Sequence, residues 1–382
     1  MPEQEWMPVS DARRPQLPSL TGARFVAALV VVVYHLWRWD CWSPPTVVAH
    51  MVGGSSVAVS FFFVLSGFVL AWSAQQDDGA LRVSASTFWR GRLRRLAPTF
   101  WLAFVVALPT AVAIARRGGL EGGELGRAIG IDAALSLSFL QAFAPGRELA
   151  INPPAWSLSA EMFFSLLFPL LAPPLFRLRA GKAIAALVGL WLLSFLPGVV
   201  YVVVDPDGLQ ALGLAADHRA HAVFLDMLRY HPLLRLPEFL AGIVTCRLFV
   251  DGRRLPVWTA AVAVIVVMAV LALGLPSPLV HNGLVLPAFI VIVLALASSS
   301  SSSSSSAGSR LWQRLGDSSY ALYLLHVPLL YWVSGISIRR LDRNLLDDPL
   351  SAAVVVAAIV GVSVAVSLLP VFSGTSRKRA SS

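Results

Sequence analysis

RFVAALVVVVYH, Arg24 to His35, carries a cation at one end and an imidazole at the other, with only Tyr34 polar between them. On a helix rising about 1.5 Å per residue, the two side chains stand roughly 16 Å apart along the axis. Such a run is either a buried core helix or a membrane span, and the rest of the chain decides which. The 382 residues are 57% hydrophobic and 13% charged, against about 25% charged in an ordinary soluble domain. Mean hydropathy is +0.71. Apolar stretches of near-20 residues, the length that crosses a bilayer's hydrocarbon core, recur along the chain. The fold class is therefore all-α, a polytopic membrane protein.

Apolar helices are predicted near 22–39, 55–74, 97–115, 156–176, 183–204, 235–250, 256–275, 282–298, 312–333 and 351–370. A further segment, 131–143, is short for a span and reads as interfacial or re-entrant. Clusters of Lys and Arg set orientation because they are retained in cytoplasmic loops. Arg13, Arg14 and Arg24 precede the first helix, and five arginines from Arg82 to Arg95 lie between the second and third. Arg177, Arg179 and Lys182, then Arg247, Arg253 and Arg254, then Arg310 and Arg314, follow later helices. With about ten transmembrane helices and both termini cytoplasmic, all these clusters share one side. Arg116/Arg117 and Arg339/Arg340/Arg343 are left outside, each with acidic residues nearby.

This gives a cytoplasmic tail over 1–21, one membrane domain over 22–370 and a second cytoplasmic tail over 371–382. Nine serines, Ser298 to Ser306, open a flexible cytoplasmic linker over 298–309. The polar, Pro-rich start shows no cleavable signal peptide. Cys41 and Cys246 fall near opposite ends of their spans, which argues against a disulfide. The net charge of +9 is the positive-inside bias, and no nucleic-acid partner is expected. The outside loop, roughly 205–234, contains His218, His221 and His231 at a spacing that matches no strong ligand signature; no metal is expected.

Four further stretches carry chemistry. In NPPAWSLSAEMFF (Asn152–Phe164), the prolines stop any preceding helix, Trp156 reads as an interfacial belt residue and Ser157 as an N-cap. Glu161 then lies about one turn into the membrane at the depth of His35. The two could pair, the carboxylate fixing the imidazole's tautomer as a general base requires. In RGRLRRLAP (Arg90–Pro98), Arg92 and Arg95 share a helical face and with Arg24 could grip phosphates. SFFFVLSGFVL (Ser60–Leu70) contains Ser66-Gly67, read first as close helix packing and second as a backbone-lined passage. In LGDSSYALYLLHVPLL (Leu315–Leu330), Asp317 begins near the inner face and His326 is about 14 Å further out, with Tyr323 on the same face. Each residue also has a bland reading: Arg24 and the arginine cluster as positive-inside anchors, His35 as a neutral core histidine.

Taken in order, Arg24-x10-His35, FFFVLSGF, Arg92-x2-Arg95, WSLSAE, HPLLRLPEFLAGI and LGDSSYALYLLHVP resemble the acyltransferase 3 family of integral membrane O-acyltransferases. The resemblance implies transfer of an acyl group, acetyl, propionyl or similar, from cytoplasmic acyl-CoA to a hydroxyl of a carbohydrate or small molecule. It implies His35 as the essential histidine and Arg24, Arg92 and Arg95 as donor-binding residues; Glu161 beside His35 is the expectation from depth alone. Tyr323, His326, Ser66 and Trp156 are expected as acceptor or supporting residues from their positions in the stretches above. The chain resembles the stand-alone members, which include enzymes that acylate macrolides in antibiotic biosynthesis. Expected partners are acyl-CoA, a hydroxylated glycan or macrolide and the lipids of a bacterial cytoplasmic membrane. The alternative is a proton-coupled transporter or exporter of acylated glycans or lipids, since intramembrane His and Glu also suit a carrier. That class often shows internal repeats, and none is visible here.

Overall fold

The protein, described from a computed structural model over residues 14–38, 44–204, 219–299 and 307–372, is helical along nearly its whole described length. Its helices are α1 (Pro18–Arg38), α2 (Thr46–Gly53), α3 (Ala58–Ala74), α4 (Ala85–Arg117), α5 (Gly122–Leu137), α6 (Trp156–Phe176) and α7 (Ala180–Val204). After them come α8 (Arg219–Tyr230), α9 (Pro232–Val250), α10 (Trp258–Ala272), the single turn α11 (Ser277–Leu279), α12 (Leu286–Ser299), α13 (Ala307–Leu341) and α14 (Pro349–Leu368). Local chemistry sets several starts. The Ser84 hydroxyl accepts from Thr87 N at 3.3 Å ahead of α4, and Asp348 accepts from Ser351 N at 2.7 Å ahead of α14. His231 Nδ1 accepts from Leu233 N at 3.3 Å, with Pro232 opening α9 where no N–H is needed.

All ten predicted apolar segments fold as helix. Among the described residues, seven helices are long and apolar enough to cross a membrane, or eight if the bent α11–α12 pair is one span. Two segments fall outside that count. α9 carries Arg235, Glu238 and Arg247 in 19 residues, and α10 is only 15 residues long. The 131–143 segment is the end of α5 followed by a turn at Gln141–Phe143, and α5 carries Glu124, Arg127 and Asp132. The expected outside loop at 205–234 is helical from Arg219 onward. The tails to residue 13 and from 373, Cys41, His218 and serines 300–306 lie outside the described residues.

Burial is inverted relative to a soluble protein. Leu170, Val203, Ile265 and Val354 are each more than 60% exposed, while Arg235, Glu238 and His326 are at 0%. Apolar side chains face outward where lipid is the solvent, and the few charges turn inward. The core is organised on α3, which crosses α9 at a pair of glycines. A Cβ at Gly67 would sit 1.9 Å from the Phe239 carbonyl oxygen, and one at Gly242 1.9 Å from that of Val64. Only glycine on both sides lets these backbones touch, as close-packed membrane helices require. The packing reading of Ser66-Gly67 holds. α1 and α14 both pack along α13, and the three share a buried cluster that includes Val32, Leu330 and Ile359.

Candidate active site

Two polar layers are strung along α1. At its start, Arg24 interacts electrostatically with Arg95, Glu161, Arg92 and Asp317, so residues from α1, α4, α6 and α13 meet there. Arg92 Nη2 donates to Glu161 Oε1 at 2.5 Å, and Arg92 Nε donates to Ser165 Oγ at 3.2 Å. Ser165 is one turn beyond Glu161 on the same face of α6, so one guanidinium reads both. The Ser66 hydroxyl of α3 donates to the same Glu161 oxygen at 2.9 Å. The Tyr320 hydroxyl donates to Leu96 O at 2.9 Å and ties α13 to α4. Arg95 remains exposed. Arg24, Arg92 and Arg95 thus lie within electrostatic range of one another and of the carboxylates Glu161 and Asp317.

About three helical turns further along α1 lies the second layer. His35 Nδ1 is 2.9 Å from Val31 O, and His326 Nδ1 is 3.1 Å from Leu322 O. Carbonyls only accept, so both rings carry their proton on Nδ1. His326 Nε2, left with a lone pair, stands 3.2 Å from His35 Nδ1, and the rings meet edge to face at 4.9 Å. The His35 N–H is therefore shared between Val31 O and His326, and among the described residues nothing engages His35 Nε2. His326 is completely buried, while His35 is partly exposed. The Tyr323 hydroxyl is 2.9 Å from Ser157 Oγ, and Tyr34 packs edge-on to His35 at 5.0 Å.

Three expectations change. Glu161 is not the partner of His35: it is committed to Arg92 and Ser66, in the cation layer. Trp156 is not an interfacial belt residue. It is 5% exposed, with its ring 4.9 Å from Tyr230 and 5.9 Å from Phe63. Because α6 starts inside the protein, a depth counted from Trp156 as if at the interface sets Glu161 too far out. Ser157 is not the cap of α6, whose N-cap position is Ala155; its hydroxyl instead bonds Pro154 O at 3.0 Å and meets Tyr323.

One network has no counterpart in the sequence reading beyond the quoted HPLLRLPEFLAGI. Arg235 donates to His281 O at 2.6 Å, Asn282 Oδ1 at 2.9 Å and Ser60 Oγ at 2.6 Å, and pairs with Glu238 at 2.9 Å. His281 and Asn282 lie in a π-helical turn, Val280–Leu284, between α11 and α12. There Gly283 takes φ +90° and packs on the backbone of Phe195. A break in a membrane helix frees carbonyls that something must satisfy, and Arg235 does so. The available signal was a charged i,i+3 pair inside an apolar segment.

The profile of a family described as "Acyltransferase domain" matches residues 17–369, nearly the whole chain. The chain is 31% identical over 324 residues to "Acyltransferase MdmB" of Streptomyces mycarofaciens, covering 81% of this chain and 78% of that protein. It is 29% identical over 102 residues to "Peptidoglycan O-acetyltransferase OatA" of Listeria monocytogenes, a match covering 25% of this chain and 14% of that protein. "Protein 2 in picA locus" of Rhizobium radiobacter is 30% identical over 163 residues, covering 39% of this chain and 78% of that protein. No solved structure matches.

Proposed function

We propose, for a chain that belongs to the acyltransferase 3 family and is a multi-pass membrane acyltransferase, an O-acyl transfer from acyl-CoA in which His35 is the general base. The observation that carries this is the His326 Nε2 contact to His35 Nδ1. It holds the imidazole in the tautomer whose Nε2 can take a proton. The acceptor oxygen attacks the thioester carbonyl as its proton moves to His35 Nε2; the carbon–sulfur bond then breaks, and the coenzyme A thiolate leaves and recovers that proton. His326 is a positioning residue here, the role first assigned to Glu161. Glu161 instead holds Arg92.

The donor's phosphates sit among Arg24, Arg92 and Arg95 at a cytoplasmic mouth, in a ten-span arrangement with both termini cytoplasmic. An extended acyl-pantetheine arm bridges the roughly 16 Å of α1 between Arg24 and His35. The acceptor is a hydroxyl of a sugar-bearing small molecule such as a macrolide, or of a cell-surface glycan. The carrier alternative loses ground because the family covering residues 17–369 is one of acyltransferases.

Two variants test the layers separately. Arg92→Ala should weaken coenzyme A binding by about 1.5–3 kcal/mol, the worth of a charge-assisted contact, and lower the melting temperature through the lost Glu161 pair. Isothermal titration decides it, and unchanged affinity in a folded protein removes Arg92 from the donor site. His326→Ala should lower kcat by about 10–10²-fold, part of the 10²–10⁴-fold that a general base supplies, at constant coenzyme A affinity. His326→Gln offers a carbonyl acceptor to His35 Nδ1–H and should recover part of that loss. A purely structural His326 would show no such rescue and no kcat-only effect.

A further inference from the structure

Between α4, the turn at Gln141–Phe143 and the segment before α6 lies a small cavity of about 10 Å³, the scale of one water molecule or ion. Phe100 and Phe104 wall it, and its polar lining is Ser136, Gln141, Glu148 and Asn152. The last three are 2%, 4% and 5% exposed. The two carboxamides cannot turn freely. Gln141 Nε2 donates to Ala155 O at 3.0 Å, and Asn152 Nδ2 donates to Leu324 O at 3.0 Å. Both amide oxygens are consequently left as buried acceptors, and neither has a hydrogen-bond partner among the described residues.

Glu148 adds a carboxylate that is met by backbone N–H groups of its own loop, Gly146 N among them at 3.1 Å. No described arginine or lysine pairs with it. Its neighbour Arg147 is paired with Asp132 at 2.5 Å, and the charge that acts on Glu148 is a second carboxylate, Asp226 of α8. A buried charge without a partner is costly, and three acceptors cannot satisfy one another. A water supplies two hydrogens and no charge. A small cation satisfies all three oxygens and neutralises the carboxylate. One carboxylate with neutral oxygens suits a single positive charge, since Ca²⁺ and Mg²⁺ sites draw on more oxygens, carboxylates or waters.

We propose that Gln141 Oε1, Asn152 Oδ1 and the Glu148 carboxylate, beside the Ser136 hydroxyl, form a sodium site. The ion is structural. It fastens the 141–152 segment, whose Asn152 holds the backbone of α13 two residues before His326. The proposal does not depend on the acyl-transfer reading, and neither do its tests.

The purified full chain is melted in sodium chloride and in choline chloride at equal ionic strength, and radioactive sodium is counted on the immobilised protein. Sodium should raise the melting temperature by several degrees, and the protein should retain a single ion. Glu148→Gln and Gln141→Leu should each abolish both effects. If Glu148→Gln fails to fold, Gln141→Leu and the wild-type counts still decide. Identical melting in the two salts with no retained sodium means that the cavity holds only water or a protonated Glu148, and overturns the proposal. Sodium retention untouched by both substitutions overturns it as well.

Discussion

His35→Ala is expected to bind coenzyme A as the parent does and to lose nearly all acyl transfer. The separation follows from the two layers on α1. The guanidinium groups that hold phosphate lie at Arg24, Arg92 and Arg95, about three turns away from the imidazole, so removing the ring leaves them in place. What is lost is proton removal from the acceptor hydroxyl, typically worth about 10²–10⁴-fold. An unassisted alcohol is a poor nucleophile. His35→Gln separates hydrogen bonding from basicity, since it has no titratable nitrogen; it should be as inactive as alanine. Transfer by His35→Ala at near the parent rate would remove His35 from the chemistry and leave His326 as the candidate.

The second large effect is on folding. Arg235 is fully buried with Glu238 and is bonded to His281 O, Asn282 Oδ1 and Ser60 Oγ. Arg235→Ala strands a buried carboxylate and a freed carbonyl together. Breaking one side of a buried pair costs about 3–5 kcal/mol, a large share of the stability that domains ordinarily have. The variant should melt far below the parent in detergent, or fail to leave the aggregate peak on size exclusion. Glu238→Gln keeps the side chain's shape and leaves Arg235 its three other acceptors, so it should lose less. A stable Arg235→Ala protein would show that the helix break near Gly283 holds without the guanidinium.

These sites were unequally legible in the sequence. The helices followed from apolar runs, because a segment of near-20 apolar residues has few other ways to hide its backbone in lipid. The cation cluster was also readable: Arg92 and Arg95 share a face by spacing alone, and Arg24 begins the same apolar run that ends in His35. Counting rise along α1 and α13 brought His35 and His326 to one level, and the structure pairs them. The same counting failed for Glu161. Rise gives depth only from a known starting level, and Trp156 starts inside the core. Depth also says nothing about azimuth, and Glu161 points to α3 and α4 rather than to α1. The break at Val280–Leu284 carried a turn signal of its own, Asn282-Gly283, yet the helix predicted over 282–298 runs through it. Its anchor, the Arg235/Glu238 pair, lies some 45 residues earlier in the chain.

The central claim is acyl transfer from a coenzyme A thioester through His35, and its most direct test is to follow the acyl group. Purified protein is incubated with radiolabelled acetyl- or propionyl-CoA and a panel of macrolide and glycan acceptors, alongside His35→Ala. Label is expected on an acceptor hydroxyl with the parent protein, and only background label with the variant. Label transferred equally by both, or an acyl group delivered from a donor other than a coenzyme A thioester, would contradict the claim.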